Sequence, residues 1–122
     1  MTITEFLEAR IAEDEALASA FPGKNWRYNI YDIEDDAQIG FLGAGNMVLD
    51  VGYDGGYQQG FIEHAIRHDP ARVLAECTAK RKLLSILENG PEVFDGERWV
   101  SPLKVMAAVY ADHSEYRQEW AL

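Results

Sequence analysis

The chain has little cysteine and little basic charge, and no long apolar run. Each shortage closes off a class of protein. One cysteine, Cys77, stands among 122 residues. A lone thiol makes no internal disulfide and no cysteine-based zinc cluster. No apolar run approaches the roughly 18 residues that a membrane-spanning helix needs, so no membrane partner is expected. The first 21 residues are acidic and amphipathic. They lack the basic start and apolar middle of a secretory signal, and a cytoplasmic location is expected. Eleven Lys and Arg face 21 Asp and Glu, for a net charge of −10. Phosphate contacts need an extended basic surface, so direct binding of nucleic acid is disfavoured. A basic or nucleic-acid-binding protein is the electrostatically easier partner. The same acidity also serves solubility.

The few bases are unevenly spread. Residues 1–36 carry −6, residues 37–66 carry −3 and residues 92–122 carry −3, whereas residues 67–91 carry +2. That basic island holds Arg67, Arg72, Lys80, Arg81 and Lys82. It reads either as a patch for an anion or acidic partner, or as an internal answer to the surrounding carboxylates. Hydrophobic residues make up 48% and charged residues 26% of the chain. Those values suit one domain, residues 1–122, with a core of its own.

The pattern predicts an α+β fold: an N-terminal helix, a small antiparallel three-stranded sheet, a long central helix and a short C-terminal helix. Residues 3–20 form the first helix, opened by a Thr2/Glu5 capping box. Ile3, Phe6, Leu7, Ile11, Leu17, Ala18 and Phe21 supply its apolar stripe. Arg10 and Asp14 lie inside that stripe, and either pair with each other or reach to water. Pro22-Gly23 ends the helix. Residues 26–31, 38–42 and 47–53 read as strands, with turns at Glu34-Asp35-Asp36, Gly43-Ala44-Gly45-Asn46 and Asp54-Gly55-Gly56. A short helical turn covers residues 59–67. Asp69 then caps a helix whose first position is Pro70, and Asn89-Gly90-Pro91 stops it. Val73, Leu74, Cys77, Leu84 and Leu87 share one face of that helix. Leu83 and Ile86 widen the face, so its second half is expected to be buried nearly all round. Residues 93–100 form a small hairpin about Asp95-Gly96, Ser101-Pro102 opens a further helix, and Tyr116 with Trp120 clamps the tail.

Candidate motifs meet competing readings. Ile39 to Met47, Ile-Gly-Phe-Leu-Gly-Ala-Gly-Asn-Met, imitates the strand and glycine turn of a dinucleotide site and is similar to the pyrroline-5-carboxylate reductases over nine residues. Val48 stands where close packing wants a small residue, and strand-like sequence follows instead of a helix, so a hairpin is expected. No cofactor is expected. His64 and His68 have the i, i+4 spacing of a metal-binding pair, with His113 as a distant third ligand. Against this, Asp69 precedes a proline and is biased out of the helix, and no metal ligand is assigned. No Gly-x-Ser-x-Gly elbow surrounds a serine, Cys77 falls mid-helix on the apolar face, and no catalytic residue is assigned.

Longer motifs resemble a family of small uncharacterised proteins of actinobacteria and the phages that infect them. The similarity rests on Phe6-Leu7-Glu8-Ala9-Arg10 with Glu13-Asp14-Glu15, on Trp26, on His-Asp-Pro-Ala-Arg-Val-Leu at residues 68–74, and on Tyr-Ala-Asp-His-x-x-Tyr-Arg-x-Glu-Trp at residues 110–120. The resemblance brings no activity. It implies a host-cytoplasm setting if the chain is phage-encoded. It marks Arg67, His68, Asp69, Arg72, Asp112, His113 and Tyr116 as candidate binding residues, with Trp120 beside them. The expected function is a non-enzymatic acidic protein-interaction module, of which a phage accessory protein acting on a host protein is the specific form. The alternative is a small-ligand or metal-binding domain using His64, His68 and His113.

Overall fold

A computed structural model describes residues 1–32, 38–45, 47–53 and 57–122. The elements run α1 (Ile3–Ser19), β1 (Trp26–Asp32), β2 (Gln38–Ala44), β3 (Met47–Tyr53), α2 (Tyr57–Arg67), α3 (Pro70–Leu87), β4 (Val93–Phe94), β5 (Trp99–Val100) and α4 (Pro102–Ala107). Two 3-10 turns follow, at Ala108–Tyr110 and Gln118–Trp120. The protein is therefore mixed helix and strand. α2 begins two residues before the expected helical segment and runs for 11 residues. β4 and β5 form a second, two-stranded sheet where the hairpin about Asp95-Gly96 is expected. Backbone proximity divides the chain into two compact units, Met1–Glu13 with Cys77–Leu122, and Asp14–Glu76.

In the first unit, α1 begins as its capping box dictates. The Thr2 N–H donates to Glu5 Oε2 at 2.7 Å, and the Glu5 N–H donates to Thr2 Oγ1 at 3.1 Å. Two otherwise orphaned donors are satisfied reciprocally. Phe6, Leu7 and Ile11 are buried, as are Cys77, Leu84, Leu103, Ala107 and Trp120. Phe6 is the hub. Trp120 lies 5.0 Å from its ring centre, His113 5.7 Å, Tyr116 6.1 Å and Tyr110 6.2 Å. The tail is thus clamped by Tyr116 and Trp120, one helical turn apart in sequence. The β4–β5 hairpin pairs Val93 with Val100 and Phe94 with Trp99. Its turn is held by Asp95 Oδ1, which accepts the N–H groups of Glu97 and Arg98 at 2.9 Å each. Gly96 supplies the required positive φ of 108°.

In the second unit, β1, β2 and β3 form an antiparallel sheet in the order β1-β2-β3. Trp26 pairs with Ala44, and Ala44 pairs with Met47 across the β2–β3 turn. Gly45 occupies that turn with φ 66°. The chain ahead of β1 presses on it: a Cβ on Gly23 would stand 2.0 Å from the Gly45 backbone nitrogen. Within the glycine-rich stretch, residues 39–44 are strand, so Gly43 and Ala44 belong to β2 and not to the expected turn, Gly45 is turn, and Met47 opens β3. The expected turns at Glu34-Asp35-Asp36 and Asp54-Gly55-Gly56 lie outside the described residues.

Four apolar residues depart from the expected core: Leu17, Phe21, Leu83 and Ile86. Leu17 is 69% exposed. Six residues beyond Ile11 is about 120° round the helix, whereas Ala18 returns to within about 20° of it. Leu83 and Ile86 are exposed as well. Taking buried Cys77 as the reference on α3, Leu84 falls about 20° away, Leu83 about 120° and Ile86 about 180°. The helix buries one stripe and leaves these two side chains outside it.

Candidate functional site

The sequence candidates fall into two groups, one in each unit. Arg67, His68, Asp69 and Arg72 surround the junction of α2 and α3. Asp69 is buried and bonded through both oxygens. Oδ1 accepts the Arg72 N–H at 2.9 Å, which is the N-cap contact expected from Asp69-Pro70. Oδ2 accepts the N–H of Trp26, at the start of β1, at 3.1 Å. The Ala71 N–H adds a bond to the Lys24 carbonyl at 2.8 Å. The sequence revealed the cap but gave no sign of the link to β1. Arg72 pairs with Glu76 at 2.7 Å, so this member of the basic island answers an internal carboxylate.

His64 and His68 sit closer than the Asp69-Pro70 argument implied. The His68 N–H still donates to the His64 carbonyl at 3.1 Å, so the helical turn persists up to the proline. Their ring centres are 4.5 Å apart, and both are exposed beside Arg67. Among the described residues, no group of three His, Cys, Asp or Glu side chains can hold a metal. His113 has a different role: it packs against the guanidinium of Arg10, a neighbour that repels a metal cation.

Arg10 anchors the second group. It is only 5% exposed, which removes one of its two alternatives, that of reaching to water. Its Nη2 pairs with Glu13 at 3.0 Å and with Glu115 at 3.2 Å. Its Nη1 lies 2.6 Å from His113 Nδ1 and also touches Nε2. A guanidinium only donates, so the imidazole accepts. The Glu115 N–H adds a bond to the same Nδ1 at 3.1 Å. The guanidinium carbon stands 5.1 Å above the Phe6 ring. Tyr116 joins through the aromatic cluster, while Asp112 is exposed. Within the described residues the only unsatisfied buried side-chain atoms are Arg10 Nε and Trp26 Nε1. This arrangement fixes the tail.

A third feature was missed from sequence, because Leu83, which borders it, was assigned to the core. Among the described residues, eight of the twelve exposed large hydrophobic side chains lie between Leu83 and Leu122. Several of them line two neighbouring grooves. The first, about 250 Å³, is lined by Leu7, Ile11, Lys80, Leu83, Met106, Val109 and Tyr110. The second, about 350 Å³, is lined by Leu83, Met106, Leu87, Val105, Val93 and Asp95, with Val100 and Pro102. Leu83 and Met106 border both. Val109, at 78% exposed, stands on the rim.

Comparison with known proteins adds one result. The model of a family of unknown function, DUF6221, matches residues 1–122. The chain belongs to the DUF6221 family. No curated protein and no solved structure matches it. For this DUF6221 protein, the grooves and the two polar clusters are the described features that bear on function.

Proposed function

We propose that this DUF6221 protein is a non-enzymatic protein-interaction module that binds an apolar protein surface through its paired grooves. One observation carries the reading: Leu83, Val93, Val105 and Val109 are exposed together around grooves whose other walls are apolar apart from Lys80 and Asp95. Contiguous apolar surface of this kind marks interaction sites in soluble proteins. Burying one such side chain fully is worth about 1.5–3 kcal/mol, so a partner covering several gains enough to bind. The polar candidates support the same reading. Asp69, Arg10 and Arg72 are each engaged inside the fold, in a cap, a tail anchor and a helix pair. The motif resemblance supports an accessory role in the cytoplasm of an actinobacterium, or of one infected by a phage.

A photo-crosslinking side chain at Val109 tests this in producing cells. Discrete protein adducts are expected at Val109 and none at the control position Glu63, on α2. Equal adducts at both positions, or none at either, overturn the reading.

A further inference from the structure

The charge along the grooves identifies a specific occupant. Among the described residues, only two charged side chains line them. Lys80 borders the first groove alone, and Asp95 borders the second alone. Leu83 and Met106, common to both, lie between these ends. Along α3, Lys80, Leu83 and Leu87 follow one another over about 10 Å at the helical rise of 1.5 Å per residue. The face is thus an apolar strip with a cation at one end, a carboxylate at the other and its ridge in the middle.

We propose that the occupant is a second copy of this chain, docked face to face about a two-fold axis near Leu83 and Met106. The inference rests on the interaction reading above. A two-fold interface must be self-complementary: if residue i meets residue j, then j meets i. A half-turn about the middle of this strip brings Lys80 of one protomer to Asp95 of the other, and repeats that pair on the far side. The apolar ridge meets itself at the centre. Asp95 suits the role because the backbone N–H groups of Arg98 and then Glu97 hold its carboxyl below the usual 3.8, keeping it ionised at neutral pH. Charge also favours this face over others. A chain of net charge −10 repels its own copy wherever acids face each other, whereas the two groove charges cancel.

Sedimentation velocity on the full chain tests the proposal, with far-UV circular dichroism to confirm folding of each variant. The wild type should move from the 13.8 kDa monomer to twice that mass as its concentration rises to about 0.5 mM, a Kd in the micromolar range. Leu83→Glu should abolish the dimer. Lys80→Glu sets two carboxylates together at each end and should weaken association about tenfold. Asp95→Asn keeps the turn acceptor but removes the charge. Placed on the Lys80→Glu background, it should recover most of the loss, a result that a merely structural Lys80 would not give. A wild type that stays monomeric overturns the proposal, as does a dimer indifferent to Leu83→Glu and Lys80→Glu. If the wild type is monomeric while Val109 still yields adducts with another protein, the second-copy inference fails and the interaction reading stands. If no adducts form either, both fail.

Discussion

Arg10 and His113, 103 residues apart in sequence, meet side chain to side chain, with Arg10 Nη1 2.6 Å from His113 Nδ1. The contact ties the C-terminal segment to α1 and leaves the guanidinium buried between an imidazole, two carboxylates and the Phe6 ring. Arg10→Met keeps the stem but removes every one of these bonds. The carboxylates of Glu13 and Glu115 are about half exposed, so both remain solvated when their partner is lost. The cost is then expected near 1–3 kcal/mol, below that of a fully buried pair. Urea unfolding of the two proteins measures it, and an unchanged midpoint would remove Arg10 from the anchor.

Asp69→Ala should cost about 2–3 kcal/mol, because it deletes an N-cap and a second bond to a buried backbone donor. Asp69→Ser keeps a capping oxygen on Arg72 but is too short to serve Trp26 as well, so its loss should be intermediate. Equal losses in both variants would show that the bond to β1 contributes nothing.

Two glycines should respond in opposite directions to alanine. On α2, a Cβ at Gly60 meets nothing within 4 Å, and Gly60→Ala should stabilise the protein by about 0.5–1 kcal/mol through helix propensity. At Gly23 the same methyl collides with the backbone of Gly45. Gly23→Ala should lower the Tm and disturb the β2–β3 turn, visible as shifted amide resonances for Gly45. A neutral Gly23→Ala would mean that the close approach is dispensable.

The capping box makes α1 sensitive to acid. The Thr2 backbone N–H, with smaller help from the N-terminal charge and the Thr2 hydroxyl, holds the Glu5 carboxyl below its usual 4.5. A carboxyl whose value is lowered on folding stabilises the folded state above its unfolded value, and that stability is lost as pH falls through the folded value. The Tm difference between wild type and Glu5→Gln should therefore be constant above about pH 5.5 and shrink below pH 4.5. A difference that stays level down to pH 3 would contradict the assignment.

Features set by neighbours in sequence were readable in advance. Thr2 and Glu5 are three residues apart, Asp69 adjoins Pro70, and Asp95 adjoins Gly96; each carries its local geometry in its own chemistry. The aromatic clamp was readable too, through the spacing of Tyr116 and Trp120. What failed were judgements about direction round a helix. Leu83 and Ile86 are apolar, and composition alone placed them inside; their angles from Cys77 place them out. That error hid the grooves, the feature with most bearing on function. The Arg10–His113 contact left no mark in sequence, because nothing local links positions so far apart. The glycines near Gly45 were separable from a nucleotide-binding turn, since the residues after them continue as strand.

Asp69 holds the first amide of β1 with one oxygen and the Arg72 amide of α3 with the other. Turning the Asp69 side chain away releases both amides at once. In hydrogen exchange, the Trp26 and Arg72 amides should open as one event with one free energy, although 46 positions separate them along the chain. A single carboxylate thereby makes the beginning of a strand and the beginning of a helix one cooperative element.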